Sequence, residues 1–242
     1  MEVKLSIVIL NYNRADLLSK RMMDMIANVP HEDVEVVVVD NGSTDDTALK
    51  IFEWWRNSKL SFPVKFYHID KNQGFSGGMN FGITVAKGNI VLCLSNDVQV
   101  CGSTLCSTIL DIFDKGDKIL LGGRIIDWNS GWNTFTISGK SYTVPYCEGY
   151  AVAMTKQNWE ALDYFDTLYS PYDYEDVDLS MKALQAGIIL KSLPPEMFIH
   201  QSGQTISGEG RMDITKANQQ KFFDKWKDYI PKILGGENNV AN

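Results

Sequence analysis

Apolar and polar positions fall into blocks along this chain, and the period changes from block to block. Residues 5–10 form an uninterrupted run rich in leucine and β-branched residues, and 34–39 (ending at Asp40), 64–69 and 90–94 repeat the pattern. Continuous runs of this length suit strands covered on both faces. Between them the period lengthens. Residues 17–26 carry apolar side chains at helical spacing, 44–55 opens on Asp45 and Asp46, and 76–86 begins among glycines. Acids in a first turn complement the positive end of a helix dipole. The resulting β-α-β-α-β-α-β order predicts a parallel sheet with helices on both faces. After about Gly116 the pattern loosens: 119–126 and 146–154 read as strands, 156–162 as a short helix, 176–186 as a helix closed by Gly187, 198–200 as an extended piece, and about 213–229 as a last helix. The expected class is α/β, a Rossmann-like fold with a mainly parallel central sheet flanked by helices and a C-terminal helical appendage.

In such a sheet, ligands bind beyond the carboxyl ends of the strands. Polar residues stand at those ends: Asn11-Tyr12-Asn13-Arg14 after the first run, Asp40-Asn41-Gly42-Ser43 after the second, and Ser95-Asn96-Asp97 after the fourth. Asp40 is suited to accept a hydrogen bond from a base or ribose, with a turn cap as the competing role. Gly74, Gly77 and Gly78 surround a helix start, where backbone approaches a ligand closely and anions are favoured, although a tight strand-to-helix turn explains them equally. Neither a G-x-G-x-x-G fingerprint nor a Walker A loop follows the first strand. Asp97 is placed to hold a divalent cation against a diphosphate, since hard cations take oxygen ligands. Glu175, Asp176 and Asp178 open a helix; a general base and a simple dipole-complementing first turn both fit them. His200 follows an apolar pair, and its imidazole is a metal ligand or a structural group.

Composition narrows the field. The 242 residues, 44% hydrophobic, suffice for one substantial core, and a net charge of −7 does not favour nucleic acid by bulk attraction. Cys93, Cys101, Cys106 and Cys147 form no C-x-x-C pair, which suggests a reducing compartment. The N-terminus lacks a signal-peptide layout, and no apolar stretch approaches the roughly 20 residues that span a bilayer. A cytoplasmic protein, soluble or peripherally membrane-associated, is expected. Residues 221–230 alternate apolar and basic side chains at near-helical spacing. That pattern reads as a helix packed on the main domain or on a dimer partner, with contact to a membrane surface as the alternative. Trp128, Trp132 and Tyr142 form either an aromatic acceptor platform or the core of an extra hairpin.

In their order, these segments resemble the family 2 glycosyltransferases of the GT-A fold, of the inverting, rhamnosyltransferase-like kind. The resemblance runs through LSIVILNYNRADLL, VEVVVVDNGSTDDT, NQGFSGGMNFGI, NIVLCLSNDVQV, CEGYAVAMTKQNWEAL, YEDVDLSMKALQAG and FIHQSGQT, over roughly residues 4–205. No single motif decides it; the ordered set is specific. The resemblance implies a catalytic domain over 1–210, with a nucleotide-sugar half at about 1–100 and an acceptor half at about 101–210, and a C-terminal helix and tail over 211–242. It implies Asp97 as the last acid of a D-x-D metal motif and His200 as the histidine that helps bind metal or diphosphate. Asp176 matches the catalytic base, with Glu175 its rival, and Asp40 the base-recognition acid. Asn11, Arg14, Asn41 and Asn96 fall on the nucleotide side, and Gly78 with Asn80 in the donor floor. Ser95 stands where the family has its first acid, so the donor diphosphate has to supply more of the metal's ligands.

The implied activity is that of a hexosyltransferase. A sugar passes with inversion from a UDP- or dTDP-linked donor to an acceptor hydroxyl, assisted by Mn²⁺ or Mg²⁺. Acceptors left open are a glycan, a lipid-linked saccharide, a protein or a modified nucleic-acid base. The rival readings are a nucleotidyltransferase and a catalytically inactive sugar-nucleotide binding module.

Overall fold

The computed structural model describes residues 2–28, 33–47, 49, 50, 53, 56, 63–127, 133–200 and 210–235. Its strands are β1 (Leu5–Asn11), β2 (Val34–Asn41), β3 (Val64–Ile69), β4 (Ile90–Ser95), β5 (Val98–Val100), β6 (Ile119–Gly122) and β7 (Ile125–Ile126), then β8 (Thr134–Ile137), β9 (Lys140–Thr143), β10 (Tyr146–Cys147), β11 (Ala151–Thr155), β12 (Ile189–Ser192) and β13 (Phe198–His200). Its helices are α1 (Ala15–Asn28), α2 (Gly74–Val85), α3 (Leu105–Phe113), α4 (Lys156–Ala161), α5 (Glu175–Gln185), α6 (Arg211–Trp226) and α7 (Ile230–Leu234). Seven strands form the central sheet in the order β12-β6-β11-β4-β1-β2-β3. Its pairings are parallel except the two made by β11. Three small antiparallel pairs, β5–β13, β7–β10 and β8–β9, sit outside it.

The apolar runs do what continuous hydrophobicity requires. Leu5, Ile7 and Ile9 of β1 pack with Leu18 of α1 and Leu105 and Ile109 of α3 on one face. Val8, Val37 and Val39 pack with Met79 and Ile83 of α2 on the other, in a core that extends to Trp159, α5 and the C-terminal helices. The run at 64–69 differs from expectation: it is the edge strand β3, paired only with β2 and half-covered. Two expected strands are each broken in two. Residues 119–126 leave the central sheet after Gly122, and 146–154 are interrupted at Glu148–Tyr150. The helix expected at 44–55 lies largely outside the described residues. Strands β5 and β12 and helix α3 have no counterpart in the periodicity reading. Tyr142 lies on the β8–β9 hairpin, while Trp128 and Trp132 fall outside the described residues.

Phe222, Trp226 and Ile230 are buried in the main core, so the apolar face of the 221–230 segment is used in docking. Phe222 and Phe223 both stack on Phe135 of β8, with ring centroids 5.5 and 5.6 Å apart. Among the described residues, no helix is long and apolar enough to cross a membrane.

Helix α2 lies close on the sheet because two of its glycines face it. A Cβ at Gly78 would stand 2.5 Å from Leu10 Cδ1, and one at Gly82 would overlap Val8 Cγ1 and come within 3.1 Å of Val39 Cγ2. Overfilling such a contact costs about 1–3 kcal/mol. Gly82→Val should therefore lower the melting temperature by roughly 2–10 °C, whereas Gly116→Ala, with nothing within 4 Å, should barely move it. Thermal melts of the two variants beside the parent check this.

Candidate active site

The sheet changes direction between β1 and β4, and the site forms at the carboxyl ends of these strands. Parallel register places Asn11 opposite Asp40 and Leu10 opposite Ser95. The Asn11 and Asn96 carboxamides, both buried, share a 2.9 Å hydrogen bond across the switch point. Asp97 follows, and β5 then pairs with β13, bringing His200 opposite Val98. His200 Nε2 lies 3.6 Å from Asp97 Oδ1. Two expected metal ligands, far apart in the chain, are thus brought together by a three-residue strand.

Tyr150 is a site residue that the sequence reading did not single out. Its ring stacks on the His200 imidazole, centroids 4.4 Å apart, and its carbonyl accepts a 2.8 Å hydrogen bond from Ser95 N–H. Gly123 leaves room for the ring, since a Cβ there would stand 2.5 Å from Tyr150 Cε2. The preceding residue, Gly149, donates its N–H to Asp176 Oδ2 at 2.9 Å. The Gly149-Tyr150 step therefore links the Asp97–His200 pair to the acidic start of α5. The one signal available in the sequence was a Gly-Tyr step immediately before an apolar strand.

The three acids of α5 meet different environments. Glu175 is buried, and its Oε2 has no hydrogen-bond partner among the described residues. Burial and the adjacent Asp176 charge push its carboxyl well above the usual range. Asp176 is partly exposed, and its oxygens accept from Gly149 N–H and, at 2.8 Å, from Val177 N–H. Burial pushes its carboxyl up to about 6 against those two bonds. Asp178 is fully buried: its Oδ1 accepts from Tyr169 Oη at 3.0 Å and Trp226 Nε1 at 2.7 Å and pairs with Lys225 Nζ at 2.6 Å, while its Oδ2 has Lys182 Nζ 3.5 Å away and no hydrogen-bond partner among the described residues. Asp178 ties the motif to the fold, and Glu175 and Asp176 remain without a cation of their own in these contacts.

On the nucleotide side, Asp40 is buried with both oxygens engaged, one by His68 Nδ1 at 2.9 Å and one by the Ser43 hydroxyl. Ser43 Oγ in turn accepts from Asn13 N–H at 2.9 Å, joining the β1 and β2 loops. Arg14 forms a two-point pair with Asp16, at 3.0 Å from both Nε and Nη2. That pairing, with the field of Asp97, holds the guanidinium charged. The side chains of Asn41 and Asn80 are taken up by the fold. Asn41 donates to Gly74 O at 2.9 Å and accepts from Gln73 N–H at 3.0 Å. Asn80 donates to Phe165 O at 2.8 Å and accepts from Phe165 N–H at 3.0 Å. With Gly78 seated against Leu10 and Asn41, these residues shape the 72–80 segment beside the site.

The model of the family described as Glycosyl transferase family 2 matches residues 6–167. Over 118 residues the chain is 33% identical to an uncharacterized glycosyltransferase of Nostoc sp., covering 48% of this chain and 35% of that protein. It is 29% identical over 126 residues to the GalNAc(5)-diNAcBac-PP-undecaprenol beta-1,3-glucosyltransferase of Campylobacter jejuni, covering 51% and 39%. The chain thus spans well under half the length of these two relatives. Among solved structures, the mannosyltransferase PcManGT from Pyrobaculum calidifontis, in complex with GDP-Man and Mn²⁺, superposes with a TM-score of 0.73 at 15% identity, covering 96% of this chain and 68% of that one. S. aureus TarS 1-349 in complex with UDP-GlcNAc gives 0.63 at 22% identity, covering 96% and 70%. The fold is that of the GT-A glycosyltransferases.

Because the Glu175 carboxyl is raised, the folded state favours its protonated form, and that stabilisation is lost as pH rises. Glu175→Gln removes the buried charge. The variant should melt above the parent at about pH 8, with the gap closing near about pH 3, where both side chains are neutral in folded and unfolded states. Melts across that range check the sign.

Proposed function

The chain belongs to glycosyl transferase family 2, and on that premise we propose that it moves a sugar from a nucleoside diphosphate sugar to an acceptor hydroxyl by direct displacement with inversion. One observation carries this reading: a partly exposed Asp176 with its carboxyl raised to about 6 is joined through Gly149-Tyr150 to the Asp97–His200 pair. A carboxylate tuned to that range is ionised at neutral pH yet basic enough to take a proton. Asp176 removes the proton from the acceptor hydroxyl. The hydroxyl oxygen bonds to the anomeric carbon as the bond from that carbon to the diphosphate oxygen breaks on the opposite face. Asp176 is assigned this role over Glu175 because Glu175 is buried.

Asp97 and His200 converge closely enough that their carboxylate and imidazole would together hold a divalent cation, Mn²⁺ or Mg²⁺. No group of three or more His, Cys, Asp or Glu forms a metal cluster among the described residues; the donor diphosphate would supply further oxygen ligands. When bound, the cation supplies Lewis-acid stabilisation of the departing diphosphate. Asp40, Asn11 and Asn96 line the nucleotide edge. The complexes of PcManGT with GDP-Man and Mn²⁺, and of TarS with UDP-GlcNAc, support a nucleotide-sugar donor and a metal. The name of the Campylobacter jejuni relative supports a glycan or lipid-linked saccharide as acceptor. A UDP- or dTDP-linked hexose remains the donor class of this proposal.

A panel of UDP-glucose, UDP-N-acetylglucosamine, GDP-mannose and dTDP-rhamnose should show nucleoside diphosphate released from at least one donor with Mn²⁺ and none with EDTA. Asp176→Asn should slow this by about 10²- to 10⁴-fold while donor binding is kept. Turnover of the parent should fall about tenfold per pH unit below about 6, since protonated Asp176 cannot accept a proton. A retained anomeric configuration would refute the displacement. Undiminished turnover in Asp176→Asn would refute the base, and donor binding without release of sugar would favour a binding module.

A further inference from the structure

We propose that the C-terminal helix α6 belongs to the catalytic apparatus, with Asn218 as a positioning residue that holds the turn carrying Asp176. This inference rests on the reading of Asp176 as the base. The turn ahead of α5 has two successive non-glycine residues in the left-handed region, Asp173 at φ +70° and Tyr174 at φ +80°. Side chains rarely adopt this conformation, and it persists only where surrounding contacts over-determine it. These two residues aim the first turn of α5, and with it Asp176, at Gly149 N–H.

The contacts that enforce the turn come from α6. Asn218 is fully buried, and the two N–H bonds of its amide are shared among three carbonyls at this turn, Tyr169 at 2.7 Å, Tyr172 at 2.8 Å and Asp173 at 3.0 Å. Its Oδ1 accepts from Lys221 Nζ at 2.9 Å. Thr215 Oγ1 donates to Asp173 Oδ2 at 2.6 Å, and the Tyr174 hydroxyl donates to Asn133 Oδ1 at 2.6 Å. One turn further along, Lys225 and Trp226 grip Asp178. Docking alone needs only the apolar face of Phe222, Trp226 and Ile230. A buried carboxamide adds nothing to docking unless its donors are matched, and here each is matched to the backbone just before the candidate base. Both the acids and α6 lie beyond residues 6–167, the stretch matched by the family model.

Without the clamp the turn relaxes toward ordinary φ, and Asp176 moves off Gly149 N–H. Misplacement of a reacting group by about 1 Å can cost about 10²-fold in rate. Loss of that amide bond, which opposes the raised affinity of Asp176 for its proton, also moves the acid limb of the rate profile upward.

The test is a double-mutant cycle. Asn218→Ala and Thr215→Val are made alone and in the Asp176→Asn background. Nucleoside diphosphate release is followed with Mn²⁺ and whichever of UDP-glucose, UDP-N-acetylglucosamine, GDP-mannose or dTDP-rhamnose the parent turns over fastest. Asn218→Ala should lower kcat about 10- to 100-fold, leave the donor KM within about two-fold, and raise the pH midpoint of kcat. In the Asp176→Asn background it should cost nothing further, because the group it positions is gone. Thr215→Val, a milder change at the partly exposed end of the clamp, should show a smaller loss with the same non-additivity, and it decides the matter if Asn218→Ala does not fold. A lowered melting temperature with unchanged kcat per folded molecule would overturn the proposal, as would losses that multiply with that of Asp176→Asn. If Asp176→Asn alone retains parental turnover, the base assignment fails instead, and the two failures are told apart.

Discussion

Strand β1 pairs in parallel with β2 on one side and β4 on the other, and much of the site follows from that shared polarity. Parallel strands end on the same edge, so polar residues that punctuate separate apolar runs arrive side by side. Asn11, Asp40 and Ser95-Asn96-Asp97 form one rim with no long-range search by their own side chains. The crevice opens there because the chain steps from β1 outward to β2 and β3 and then crosses back to β4 on the other side of β1. The antiparallel β11 then runs back beside β4 and delivers Gly149-Tyr150 to the same rim, with the Tyr150 carbonyl bonded to Ser95 N–H.

The treatment of buried charge separates structural acids from chemical ones. Glu35 is buried. Burial works against its charge, but Lys65, Ser6 and the Lys87 N–H bond its carboxylate, and the net effect holds it below the usual range. Asp178 has Lys225, Tyr169 and Trp226 on its Oδ1, and Lys182 3.5 Å from its Oδ2. A buried carboxylate with such partners is a staple, and removing a partner is costly. At Glu175 and Asp176 burial is not offset in this way, and both carboxyls rise. Among the described residues neither of these two acids has an ion pair at salt-bridge distance, and the field of Arg211 only partly opposes the rise at Glu175.

The cost of burying these acids is borne by packing from the chain's far end. Helices α6 and α7 bury Phe222, Trp226 and Ile230 in the main core, and α6 also supplies polar contacts to the turn before α5. The division into a catalytic domain and a C-terminal appendage therefore follows the order of the chain better than it follows the energetics. A segment that reads as an accessory helix contributes both to the core and to the geometry of the acids.

Periodicity and turn chemistry, which depend on neighbours in the chain, located β1, β2, β4, α2 and α5 and put Asp40, Asp97, Asp176 and His200 among the residues to watch. They could not show that 64–69 is an edge strand, because burial of a run depends on what lies beside it. Nor could they tell which polar side chains face a ligand. Asn41 and Asn80 look alike as loop and helix amides, yet each is engaged with backbone from a distant segment. The meeting of Asp97 with His200, the linking role of Tyr150 and the clamp of Asn218 were decided by tertiary pairing. Each depends on contacts between residues separated by tens of positions, and no local pattern encodes a partner at that distance.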